Sequence, residues 1–116
     1  MISEYWSNFI TKNEIIGCEF EVSQDDDLSG LGVDLKIMNI EQCISEATEC
    51  YPGIAAVKEG YVPVAMCLTG SGDYYYIRTS EGENGSLYRI YHDAVNGEAI
   101  ETTGIEKVLK SYASLL

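Results

Sequence analysis

Apolar side chains near the start of the chain recur at the spacing of one helical face. They fall at i, i+3, i+4, i+7 and i+8, and are Ile2, Tyr5, Trp6, Phe9 and Ile10. This spacing predicts a helix that begins near Ser3 and ends around Lys12-Asn13. Apolar and acidic residues then alternate from Cys18 to Val22, which predicts a half-exposed strand, and the segment 23–32 is predicted to be a loop.

A short strand and a second helix are predicted next. The strand covers residues 35–38. Asn39 can cap the helix, Gln42 can complete a capping box, and Tyr51-Pro52-Gly53 is predicted to stop it. The pattern then changes to that of β-structure, with apolar or alternating runs that predict three strands joined by short turns, at residues 62–68, 74–79 and 86–92.

The end of the chain has the pattern of a helix, which follows a brief strand at Ala99-Ile100. Thr103 and Glu106 are spaced as a capping box, and the apolar positions form one helical face, at Ile105, Val108, Leu109, Tyr112 and Leu116. Short connections make the predicted sheet antiparallel. The sequence therefore predicts an α+β fold, in which helices pack on one face of an antiparallel meander, as a single domain over residues 1–116.

Charge narrows the classes of partner. The chain of 116 residues holds 7 Lys+Arg and 19 Asp+Glu, for a formal charge of −12. Such acidity disfavours nucleic acid and anionic membranes and favours a cationic partner or plain solubility. The run Asp25-Asp26-Asp27 lacks the alternating ligands of an EF-hand loop, so solvation or contact with a cationic partner is expected there rather than a metal ion.

The cysteines and the single histidine do not form a metal-binding pattern. No two cysteines are spaced as C-x-x-C, so neither a zinc site nor a cofactor is predicted. The opening residues lack the basic and apolar regions of a signal peptide, and no apolar run is long enough to span a membrane. We therefore predict a cytoplasmic protein with reduced thiols at Cys18, Cys43, Cys50 and Cys67.

The pair His92-Asp93, at the end of the third strand of the meander, admits two interpretations. With Cys67 or Cys18 as nucleophile, His92 could belong to a Cys–His–Asp site of a small hydrolase. Alternatively the pair is structural, with Asp93 bonding its own backbone in a turn and His92 covering the end of the sheet. The structural interpretation is favoured because the cysteines lie in no known local signature.

The second half of the chain resembles a known family. An apolar strand leads into Gly70-Ser71-Gly72-Asp73 and the aromatic strand Tyr74-Tyr75-Tyr76-Ile77, and the following strand ends in His92-Asp93 before an amphipathic segment. This order resembles the SUKH superfamily, the Smi/Knr-like domains. The resemblance implies an α+β fold with no catalytic activity, and it marks Gly72, Asp73, His92 and Asp93 as motif positions of structural role. Most bacterial members are thought to be immunity proteins that neutralise a cognate toxin, often a nuclease.

The first hypothesis is therefore a non-enzymatic bacterial immunity protein that binds a basic toxin through acidic and aromatic surface. Candidate contact residues are Asp25, Asp26, Asp27, Asp34, Asp73 and Tyr74. Two alternatives stay open, namely a regulatory module that binds a protein or a ligand between sheet and helices, and the Cys/His hydrolase. Residues 1–50 carry a net charge of −9 (2 basic and 11 acidic residues). We expect this half to choose the partner and residues 61–116 to supply the scaffold.

Overall fold

Six antiparallel strands form one curled sheet in the computed structural model, which describes residues 2–116. The strands stand in the order β1-β2-β3-β4-β5-β8, and three helices pack on them. The strands are β1 Glu19–Val22, β2 Val33–Ile37, β3 Tyr61–Cys67, β4 Tyr74–Arg78, β5 Leu87–Ile90, β6 Val95–Asn96, β7 Ala99–Ile100 and β8 Ile105–Leu109. The helices are α1 Glu4–Lys12, α2 Ile40–Glu49 and α3 Gly53–Lys58. The predicted α+β architecture with an antiparallel sheet is confirmed.

Local sequence signals account for the first two helices. In α1 the predicted apolar face is buried through Trp6 and Ile10. At α2 the predicted capping box is present, with the Gln42 backbone N–H donating to Asn39 Oδ1 at 2.8 Å. The Asn39 backbone N–H donates in return to Gln42 Oε1 at 3.0 Å. These bonds satisfy two of the donors that a helix start leaves free, so this boundary is set by side chains adjacent in sequence.

Helix α3 was not predicted. The predicted stop at 51–53 ends α2, but Pro52 also takes the N-cap position of a further turn of helix that begins at Gly53. The two helices approach so closely that a Cβ at Gly53 would lie 2.1 Å from the carbonyl oxygen of Glu46. A break signal between two short helices is therefore compatible with either a loop or a second helix, and packing of Ala55 and Ala56 against the sheet selects the helix.

The predicted C-terminal helix is wrong. Residues 105–109 form strand β8, which pairs with β5 through Ile90↔Ile105 and Arg89↔Glu106, and a short 3-10 turn follows at Tyr112–Leu115. Every residue of β5 is buried, so its backbone groups need a strand on each side, and β8 supplies the second one. The register shifts between Leu87 and Tyr88, which lets both Val108 and Leu109 reach the core. The C-terminal helix, which was one feature of the family resemblance, is therefore absent from residues 105–116.

The core consists of two apolar clusters that draw on both halves of the chain. The first contains Trp6 and Ile10 of α1 with Leu35, Tyr75 and Val108, and the second joins α3 to Tyr76, Tyr88 and Ile90. Trp6 meets Tyr112 edge-on, with ring centroids 5.1 Å apart. The first half of the chain therefore builds the scaffold as well, contrary to the division expected from its charge. The Cα radius of gyration is 12.8 Å, as for one compact domain.

The predicted strand at 99–100 is confirmed, but it lies outside the main sheet. As β7 it pairs with β6 in a separate two-stranded ribbon, with Val95 opposite Ile100 and Asn96 opposite Ala99. This ribbon occupies the connection between β5 and β8.

Candidate functional site

A single buried arginine holds the loop between β1 and β2, residues 23–32. Arg89 of β5 donates from Nη1 to Ser29 Oγ at 2.9 Å and from Nη2 to the Gly32 carbonyl at 2.9 Å. Asp27 Oδ2 lies 3.6 Å from Nη2 as the counter-charge. The guanidinium also lies over the Tyr75 ring, 5.4 Å from its centroid. A loop that would otherwise be solvated is thereby fixed to strand β5.

Asp27, predicted as a contact residue for a partner, is instead buried. It is 3% exposed, and its Oδ1 accepts from the Ser29 backbone N–H and hydroxyl, both at 2.7 Å. A carboxylate enclosed in this way neutralises Arg89 and is not free to meet a partner. Burial by itself lowers the pKa of the Arg89 guanidinium. The Tyr75 hydroxyl and the Asp27 charge raise it by more than burial lowers it, so the pKa lies above its ordinary value. Arg89 was missed by the sequence reasoning, although it is the one charged residue in an otherwise apolar strand.

The same loop also links the two edges of the sheet. The Leu28 backbone N–H donates to the Val108 carbonyl of β8 at 2.9 Å, while β1 lies at the opposite end of the strand order. Leu28 and Leu31 expose 52% and 56% of their surface on this loop. Single exposed apolar residues are common on protein surfaces, so these two leucines matter only together with the charges beside them.

Carboxylates lie beside these leucines, since Glu21 and Asp26 line clefts with each of them. The acidic surface is defined as these two residues and the nearby carboxylates of β1, β2 and their loop, namely Glu19, Asp25 and Asp34. Three of them, Glu21, Asp26 and Asp34, line one open cleft of about 590 Å³ together with Leu31. Glu21 stands directly opposite Asp34 in the β1–β2 pair, where like charges destabilise a sheet. Within residues 2–116 none of the five makes an ion pair, although Lys36 stands opposite Glu19.

The motif residues Asp73 and His92 form a structural pair. Asp73 Oδ1 accepts from the His92 backbone N–H at 2.8 Å and lies 2.9 Å from Nδ1 of the ring. The hydrogen bond that Asp73 Oδ1 accepts from the ring raises the pKa of the exposed His92 imidazole, and the charges of Asp73 and Asp93 raise it further. Gly72 has a left-handed backbone with φ +79° and lies beside the His92 ring, whose Cγ would be 4.0 Å from a Cβ at this position. Asp93, the other motif residue, is exposed in the turn that follows β5.

Tyr74 lies away from the acidic surface. Its side chain packs at the second core cluster, and its hydroxyl lies beside Glu46 of α2. Burial raises the pKa of Tyr74, and the Glu46 charge and hydrogen bond raise it further. Asp73, buried and engaged by His92, is likewise not a free contact. Of the six predicted contact residues, the structure brings Asp26 and Asp34 to one open cleft, and Asp34 lines a second cleft with Asp73. Asp25 precedes Asp26 in the same loop and is exposed.

Cys67 lies in a small cleft of about 210 Å³ that Tyr75, Arg89 and Asp73 also line. Its thiol contacts the Thr69 hydroxyl at 2.9 Å, and among the described residues it makes no contact with His92. Burial raises the pKa of the Cys67 thiol, but hydrogen bonds from Ser71 and Thr69 outweigh burial, and the pKa lies below its ordinary value. The predicted Cys67–His92 pairing is thus not formed in this structure. Cys18, the other candidate nucleophile, is exposed, and its thiol lies 3.7 Å from the Glu14 carbonyl.

Other classes of site find no support in the part of the chain that the structure describes. Residues 2–116 contain no group of three or more His, Cys, Asp or Glu side chains placed to hold a metal ion. The helices of this region are too short or too polar to traverse a membrane. None of the four cysteines is bonded to another.

Comparisons with family models, with curated proteins and with solved structures find no match to this chain.

Proposed function

We propose that this protein is a non-enzymatic binding protein that captures a cationic protein partner on its acidic surface. The observation that carries the proposal is the concentration of five carboxylates without ion-pair partners on a fixed part of the fold. Glu21 and Asp34 face each other at a cost to stability, and a cation from a partner would relieve that repulsion. Leu28 and Leu31 supply apolar contact area beside the charges.

The partner that best fits this surface is a basic toxin, which the protein would neutralise inside the producing cell as an immunity protein. The order of residues from Gly70 to Asp93 resembles that of Smi/Knr-like domains and supports this class. Nuclease toxins need cationic surfaces to hold nucleic acid, and an acidic blocker competes for the same surface. Attraction between opposite fields also makes capture fast at low salt.

Co-expression with toxin domains encoded beside this gene tests the proposal. We expect the wild-type protein to restore growth of a host that makes the toxin. Replacing Glu21, Asp25, Asp26 and Asp34 by their amides should slow association with that toxin by about 10- to 100-fold at low salt. The matched control replaces Glu41, Glu49, Glu59 and Glu101 by Gln, which makes the same change in net charge elsewhere on the exposed surface.

Two outcomes would count against the proposal. Equal loss of binding in both quadruple variants would show that only total charge matters. Failure of the wild-type protein to protect against any neighbouring toxin would remove the immunity function.

The two alternatives are less well supported by the geometry. A Cys/His hydrolase needs a thiol within reach of Nε2 of His92, whereas the Cys67 thiol is hydrogen-bonded with Thr69. An alkylation rate of Cys67 no faster than that of a model thiol would exclude the hydrolase. A ligand-binding module needs a mostly apolar cavity of at least about 300 Å³. The clefts of about 380 and 590 Å³ are large enough, but Glu21 and Asp26 line both of them, which suits a cationic side chain better than an apolar ligand.

A further inference from the structure

Strand β1 is a free edge of the sheet, with β2 on one side and no strand on the other. Its bonding direction follows from its neighbours. The Ile37 N–H of β2 donates to the Cys18 carbonyl, whereas the Asp34 carbonyl accepts from Leu68 on the β3 side. Because this direction alternates along a strand, Leu35 and Val33 bond to their β1 partners Phe20 and Val22. The main-chain groups of Glu19 and Glu21 therefore point away from the sheet and are free to pair.

The side chains of β1 alternate in step with this pairing. Glu19 and Glu21 are exposed, whereas Phe20 and Val22 pack against the first core cluster. Beyond the edge lies a groove of about 380 Å³, lined among others by Leu28, Leu109 and Lys110. A strand added to β1 would thus meet carboxylates on its outer face and apolar side chains on its inner face.

We propose that the β1 edge accepts an extended cationic segment of the partner as a seventh strand. Its side chains would follow the pattern basic, apolar, basic, with the two cations opposite Glu19 and Glu21. The residue between them enters the groove, where Val22, Leu28 and Leu109 offer contact to an apolar side chain. This inference rests on the proposed function and specifies how the partner docks.

A second copy of this chain is the wrong occupant for the edge. Pairing two β1 strands would place the Glu19 and Glu21 side chains of one copy beside those of the other, and like charges directly opposite are destabilising. The same carboxylates attract a strand that carries Lys or Arg. The edge is therefore closed to self-association and open to a basic segment.

A peptide with blocked backbone nitrogens tests the pairing separately from the charge. The probe is a capped, fluorescently labelled peptide of about seven residues, the length of a strand, in which Lys alternates with Val. Binding is measured by fluorescence anisotropy. N-methylation of the Lys nitrogens, which would face β1, should weaken binding by about 10-fold or more. N-methylation of the Val nitrogens leaves the charge and that edge unchanged and should not weaken binding.

Protein variants give a second measurement. Glu21→Gln removes the charge and keeps the N–H, whereas Glu21→Pro removes both but leaves the bonds of Phe20 and Val22 to β2 in place. We expect the Pro variant to bind the Lys/Val peptide about 10-fold more weakly than the Gln variant. Hydrogen exchange of the Glu19 and Glu21 amides in the wild-type protein should slow when the peptide is bound.

The outcomes separate this inference from the function on which it rests. Equal binding of the Lys-methylated peptide, or unchanged exchange at Glu19 and Glu21, would overturn strand addition even if toxin protection by the acidic surface holds. Absence of any peptide binding would overturn it as well. The toxin-protection assay contains no peptide and is therefore an independent measurement. Loss of protection in that assay would overturn the proposed function.

Discussion

At the scale of single residues, Arg89 has the largest influence on the candidate surface. It is buried in β5, yet its hydrogen bonds reach Ser29 and Gly32 in the loop that carries Asp25 and Asp26. Glu106 of β8 lies 3.9 Å from Nη1 and adds a second, weaker counter-charge. Arg89 thus joins the loop to β5 and to the carboxylate of Glu106 on β8. The acidic surface depends on Arg89, although Arg89 is not part of that surface.

The first prediction concerns the Arg89–Asp27 pair. Arg89→Met should lower the free energy of unfolding by about 3–5 kcal/mol, because it leaves the Asp27 charge buried without its counter-charge. Adding Asp27→Asn should restore about 1–2 kcal/mol, since a neutral amide costs less to bury. Urea denaturation of the single and double variants measures the coupling. The control Arg78→Met, at an exposed arginine over Tyr61, should cost less than about 1 kcal/mol. Equal losses in the two Met variants would contradict this account.

The second prediction is a pH dependence at His92. Its pKa is raised in the folded state by the hydrogen bond with Asp73, so the protonated ring stabilises the fold. This contribution is complete below the unfolded pKa of about 6.5 and disappears as pH rises through the folded pKa. The difference in unfolding free energy between the wild-type protein and His92→Gln should therefore be larger at about pH 5.5 than at about pH 8.5. Denaturation at both pH values measures it, and a difference that does not change with pH would remove the pair from the stability of the fold.

At the scale of elements, the end of the chain shows why an apolar pattern is not enough. Ile105, Val108, Leu109 and Tyr112 have helical spacing, yet the segment is a strand followed by a 3-10 turn. The buried backbone of β5 can be satisfied only by another strand, and that demand comes from residues distant in sequence. Cation–π contact between Lys107 and the Tyr88 ring, 5.8 Å from its centroid, adds a cross-strand interaction that a helix would lose.

The third prediction distinguishes the strand from the helix. At the start of a helix, Gly104→Ala would stabilise the protein by up to about 1 kcal/mol. In the structure a Cβ on Gly104 would lie 2.2 Å from the Ala94 Cβ, so the same substitution should instead destabilise by about 1–3 kcal/mol. Thermal or urea denaturation gives the sign. A stabilised Gly104→Ala variant would favour the helix over β8.

At the scale of the whole molecule, the charge of −12 is divided between separate regions. The acidic first half of the chain contributes Glu19, Glu21, Asp25, Asp26 and Asp34 to the acidic surface, but it also places Glu41, Glu46 and Glu49 on α2. Asp27 is removed from the surface by burial. The net charge predicts a cationic partner, but it does not say which of these regions binds that partner. The matched quadruple variants test whether the acidic surface is the binding site.

The fourth prediction concerns the packing of the whole molecule, which the accessibility of its thiols reports. Burial raises the pKa of the Cys43 thiol in α2 to about 12, so it is neither charged nor accessible in the folded protein. Alkylation mapped by mass spectrometry should modify the exposed Cys18 and Cys50 in buffer, but Cys43 only in denaturant. Cys43 modified in buffer at the rate of Cys18 would show that α2 does not stay packed on the sheet.

The sequence by itself determined the elements whose signals are local. Apolar spacing gave α1, the Asn39–Gln42 capping box gave the start of α2, and apolar or aromatic runs gave β3, β4 and β5. The sequence also suggested six partner contacts, of which Asp25, Asp26 and Asp34 stay predictions. The elements follow from contacts between residues near each other in the chain, which periodicity and side-chain chemistry encode directly.

Only the tertiary structure decided which backbone and charged groups are satisfied from a distance. It turned residues 105–109 into a strand, buried Asp27 against Arg89, and left the Glu19 and Glu21 backbone free at the β1 edge. The physical reason is the same in each case. A buried hydrogen-bonding group or charge must find a partner, and that partner comes from whichever segment the fold brings near, a choice that no short stretch of sequence contains.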